Sequence, residues 1–144
     1  MFATIQDLYM RFGKANVIRT ANVESLDELD SETESTLEPR LLYFLNQAYE
    51  RVCDSLRQGS YNPQDFTPPY PQTLVNLTCE TAYIALYQTK HSHDETAPDA
   101  FKMLYESNNA LLRNIQGGVV RFDTKIPKAL SLPANVTALS RNGQ

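Results

Sequence analysis

Tryptophan is absent from this chain, and the residues that most often carry chemistry are scarce: two cysteines, two histidines and five glycines in 144 residues. Each shortage removes a class of function. Both histidines lie in His91-Ser92-His93-Asp94-Glu95. Their i, i+2 spacing suits a strand or irregular loop better than a helix face, and no nearby Cys completes a structural zinc site. The expectation is a polar interhelical loop with no metal and no cofactor. A phosphate-cradling loop is also missing, because Gly117-Gly118 follows a helical pattern and opens no second helix. No nucleophile elbow is visible. No run approaches the ~18 apolar residues of a membrane span. The start Met1-Phe2-Ala3-Thr4 lacks a basic segment followed by an apolar one. The chain is therefore expected in a cytoplasm-like compartment, away from membranes, and not as an enzyme.

Basic charge is in short supply over most of the length. The formal charge is −4, but residues 1–116 hold 9 Lys and Arg against 16 Asp and Glu, whereas residues 117–144 hold 4 against 1. A body this acidic is poorly suited to neutralising phosphates. It and its basic C-terminal end attract each other, within one chain or between neighbours.

What is present reads as helices. Thr4 and Asp7 form a capping-box pair, Ile5, Leu8, Tyr9 and Phe12 follow at helical spacing, and Gly13 stops the element. Lys14 to Thr36 reads as a long acidic loop, carrying Glu24, Asp27, Glu28, Asp30, Glu32 and Glu34, with Glu38 just beyond. Those carboxylates are expected to face solvent or a partner without binding metal, since a mobile loop does not place ligands rigidly. The second predicted helix has one stripe, Leu37, Leu41, Phe44, Leu45, Ala48, Val52 and Leu56, and ends at Gly59. Prolines 63, 68, 69 and 71 hold the third helix back to about Pro71. Leu74, Val75, Leu77, Ala82, Ile84, Ala85 and Leu86 make that helix apolar around much of its girth, hence central. Thr96 and Pro98 look like a cap and a first-turn proline for the fourth helix, whose stripe is Phe101, Leu104, Tyr105, Leu111, Leu112 and Ile115, with Gly117 as its cap. Cys53 and Cys79 fall inside these patterns and read as core. The predicted fold is an all-α antiparallel bundle of one short and three longer helices over residues 1–118.

Residues 119–144 keep no helical or strand period, yet hold more apolar side chains than a solubilising tail. They read as an extended arm that docks on another chain. Its expected anchors are Phe122, Ile126, Leu130 and Leu132, and Arg121, Lys125 and Lys128 would meet an acidic surface. The eight tyrosines fit either an interface or the wet edges of the core.

Three stretches resemble a known family. Phe2-Ala3-Thr4-Ile5-Gln6-Asp7-Leu8-Tyr9-Met10-Arg11-Phe12-Gly13 resembles the Tyr-Ala-Thr-x-x-Asp-Leu-x-x-Arg-Phe-Gly opening of head–tail adaptor, or head-completion, proteins of Mu-like phages and prophages. Leu41 to Gly59, followed by Tyr61 and the proline-rich loop, is similar to their second helix, and Leu111-Leu112-Arg113-Asn114-Ile115-Gln116-Gly117-Gly118-Val119 resembles the Leu-x-x-Ile-x-x-Gly close of their last. Tyr49 or Glu50 stands where members usually carry Asp, and the acidic loop and the arm lie outside the shared pattern. The resemblance implies a virion component of the neck, made in the host cytoplasm. It further implies a homo-oligomeric ring of about twelve copies beneath the portal protein, bridging it to a stopper or tail-completion protein, with DNA passing through and not read. The residues alone also fit a small cytoplasmic regulatory protein whose C-terminal arm wraps a target.

Overall fold

The computed structural model describes residues 1–22, 31–91 and 97–122. Among them are five α-helices and no strand: α1 (Ile5–Phe12), α2 (Lys14–Ala21), α3 (Ser31–Gln58), α4 (Gln72–Lys90) and α5 (Asp99–Gln116), with one 3₁₀ turn at Pro63–Asp65. The predicted all-α bundle is observed.

The start of α1 is fixed as the sequence implies. The Asp7 amide donates to the Thr4 hydroxyl at 3.2 Å while the Thr4 amide donates to the Asp7 carboxylate at 2.8 Å, satisfying two helix-start donors reciprocally. Gly13 ends α1 at φ +86°, a conformation that a side chain disfavours. The same glycine then starts α2, which corrects the predicted loop over Lys14 to Thr36. α2 buries Val17, Ile18 and Ala21, enough apolar area to hold two turns that lack a side-chain cap. The loop expectation fails at its other end too, because α3 begins at Ser31, a turn and a half before Leu37. Glu34 there pairs with Lys14 at 2.8 Å, and acids in a first helical turn complement the macrodipole. Pro39 sits inside α3 and cannot donate to the Ser35 carbonyl. Both residues are exposed, at a place on the helix where a missing backbone donor costs less than in the core. Residues 23–30 lie outside the described residues.

Helices α3 and α4 form the central pair, each touching every other helix, while α5 contacts neither α1 nor α2. One half of the core joins α1 and α2 to Leu41, Leu45 and Ala48 of α3 and to Cys79, Ala82 and Leu86 of α4. The other half joins Phe2, Val52, Cys53, Leu56, Phe66, Leu74 and Leu77 to Leu112 and Ile115 of α5. Burial of each such Leu or Ile contributes roughly 1.5–3 kcal/mol before ordering costs. α5 starts at Asp99 with Pro98 in the cap position and not in the first turn; Thr96, its expected cap, lies outside the described residues. Two polar pairs sew α5 down: buried Asn108 donates to the Thr81 hydroxyl at 3.1 Å, and Gln116 donates to Ser55 at 3.1 Å.

Candidate interaction surfaces

Several residues quoted for the N-terminal resemblance hold α1 in place. Leu8 is fully buried. Arg11 forms an ion pair with Glu80, a buried carboxylate on α4, and Phe12 stacks on Tyr83 at 4.1 Å and 10°. The motif is therefore a device for clamping α1 onto α4.

Chemistry is sparse. No group of His, Cys, Asp and Glu among the described residues is arranged to hold a metal. Burial pushes the Cys79 thiol up to about 12, and burial also raises Cys53. A thiol that stays protonated at neutral pH is a poor nucleophile. The Tyr49 phenol, hydrogen-bonded to Cys53 and partly desolvated, is likewise raised to about 12. Burial, with Glu34 and Glu38 adding to it, raises Tyr9. His91 caps α4 with its ring 4.4 Å from Tyr87; residues 92–95 of the same cluster lie outside the described residues.

Of the predicted arm anchors, Phe122 lies against the chain's own body. Its amide donates to the Tyr61 hydroxyl at 2.9 Å, and its ring meets Tyr61 at 5.5 Å and Phe66 at 5.6 Å, both edge-on. Upstream, the Val119 amide donates back to the Asn114 carbonyl at 2.9 Å. The chain thus packs on its own body through Phe122, because an aromatic tail residue next to two rings in a proline-rich loop buries more area there than in water. Arg121 is exposed. Lys125, Ile126, Lys128, Leu130 and Leu132 lie outside the described residues.

Two of the grooves that open on α4 differ in their lining. Between α3, α4 and α5, a furrow of about 290 Å³ carries amides and Arg51 over a floor that includes Ile84 and Ala85; Arg51 donates to Asn109 at 3.4 Å. The other, about 380 Å³, lies between the end of α1, the C-terminal half of α4 and the start of α5. It is lined by Phe12, Tyr83, Tyr87, Pro98, Phe101 and Leu104. Its rings stand in two stacked pairs, Phe12 with Tyr83 and Tyr87 with Phe101, the latter at 4.0 Å and 23°. Sequence reasoning counted Tyr83 and Tyr87 among the interface-type tyrosines but did not join them to Phe101. Their i, i+4 spacing on α4 was the available signal. Leu42, Tyr43 and Met103 are exposed elsewhere on α3 and α5.

Comparison of the chain with protein-family models, with curated proteins and with solved structures finds no match.

Proposed function

We propose that this chain is a head–tail connector adaptor of a phage or prophage particle. In this reading its copies form a ring beneath the portal protein and bridge it to the stopper or tail around the DNA channel. The observation that carries the reading is the opening motif: Ala3, Thr4, Asp7, Leu8, Arg11, Phe12 and Gly13 resemble the adaptor opening, and they act together to cap α1, clamp it on α4 and end it. Charge supports the same role. A body with 16 acids against 9 bases over residues 1–116 repels phosphates, so a duplex slides past without being held.

The test is genetic. Deleting the gene from its prophage is expected to give DNA-filled heads and free tails that fail to join, restored by the gene in trans. Normal tailed particles from the deletion would remove the adaptor reading.

A further inference from the structure

We infer that the aromatic groove of one copy receives residues 125–133 of a neighbouring copy, as an extended apolar-proline segment. The inference rests on the ring reading above for its second copy and on the chain itself for its chemistry. Four half-buried rings in two stacked pairs, flanked by Pro98 and Leu104, make a surface of ring faces and edges with little polar lining. Such surfaces suit proline-containing extended chain, whose fixed φ lowers the ordering cost of binding. Residues 125–133 supply it: Ile126-Pro127 and Leu132-Pro133 are two apolar-proline steps, with Lys125 and Lys128 flanking the first. Lysines beside such a segment reach tyrosine faces as cations, and Asp99, exposed next to Pro98, offers them a carboxylate.

Placement on the body gives each copy two unlike patches. The arm leaves from Phe122, held by Tyr61 and Phe66 at the end of the bundle where α4 begins. The groove lies at the other end, against Tyr83 and Tyr87, about 15 Å or more along α4 from Leu74. A donor at one end and a receptor at the other are the two unlike patches that a closed head-to-tail ring needs, each copy giving an arm and taking one. Ten residues separate Phe122 from Leu132, a reach of at most about 33 Å when fully extended. The contrast between acidic body and basic C-terminal end favours the same docking.

The experiment uses the full chain with Leu132 replaced by photoreactive benzoylphenylalanine, prepared as an equal mixture of light and nitrogen-15 protein and irradiated at millimolar concentration. The expected result is cross-linked peptides of mixed isotope joining Leu132 to the stretch containing Tyr87, or to that containing Phe101 and Leu104. Their yield should rise with concentration and fall about tenfold in the double variant Pro127→Ala, Pro133→Ala. Single-isotope cross-links would show the chain filling its own groove and overturn the inference, as would cross-links elsewhere, none at all, or a yield unchanged by the proline variant. Mixed-isotope groove cross-links in a protein missing from particles would keep the docking and remove the adaptor reading. Incorporation into particles with cross-links elsewhere would do the reverse.

Discussion

The Phe122 amide donates a hydrogen bond to the Tyr61 hydroxyl across 61 residues of sequence, and the same hydroxyl donates to the Val120 carbonyl at 3.4 Å. One phenol oxygen thereby fixes the point at which the chain leaves its folded body. The rings of Tyr61, Phe66 and Phe122 close around that oxygen, so these bonds form in partly buried surroundings, where losing them costs more than at an open surface.

Tyr61→Phe should leave the ring packing and remove both hydrogen bonds. The expected loss of stability is about 0.5–1.5 kcal/mol. Trypsin should cut after Arg121 several times faster than in the parent chain, with the helical circular dichroism signal unchanged. An unchanged cleavage rate would show that the latch does not hold in solution.

Gly59 sets a tighter constraint. A Cβ there would lie 2.0 Å from the Ile115 carbonyl oxygen and 3.1 Å from its carbon. Since both are backbone atoms, the ends of α3 and α5 must separate to admit any side chain. Gly59→Ala is expected to cost about 1–3 kcal/mol by overpacking and to lower the thermal midpoint by several degrees. Neutral behaviour in a melting experiment would contradict the close approach of these two helices.

Arg11 and Glu80 test the clamp of α1 on α4. Arg11→Ala strands a buried carboxylate and should cost about 1–3 kcal/mol. The paired change Arg11→Met, Glu80→Met removes both charges and should recover most of that loss. Denaturant unfolding of the two variants and the parent separates the cases. A double variant as unstable as the single one would mean that the ion pair is not what holds α1.

Alkaline stability follows from the buried thiol. Cys79 ionises near its ordinary value of 9.0 when unfolded and near 12 when folded. Between those values the folded chain binds the extra proton, so this contribution is complete below about pH 9 and is lost as pH rises toward about 12. Tyr49, raised to about 12, acts in the same direction. Unfolding free energy should fall over that window in the parent and fall less steeply in Cys79→Ala, measured by urea titration at each pH.

Much of the bundle was legible because its signals are local. Thr4 and Asp7 are three residues apart, Gly13 carries a turn that only glycine adopts easily, and the stripe from Leu41 to Leu56 repeats at the helical period. α2 was not legible, since Gly13 serves as both stop and start, and no Ser, Thr, Asp or Asn announces the second helix. The first turns of α3 were hidden by their acids, which read as loop until Lys14 is seen beside Glu34. The placement of Phe122 depends on Tyr61 and Phe66, more than fifty residues away, and no periodic pattern reports such a contact. The aromatic groove was half legible: each ring could be named from the sequence, but the pairing of α4 with the start of α5 is a tertiary fact.

The most direct measurement of the central claim is electron cryomicroscopy of the neck of particles carrying this gene. The account predicts a closed ring of about twelve copies directly beneath the portal, with acidic surface toward the DNA and each subunit's α4–α5 groove facing its neighbour. Particles with a complete neck that lack this chain, or that hold it only as isolated dimers away from the portal, would contradict it.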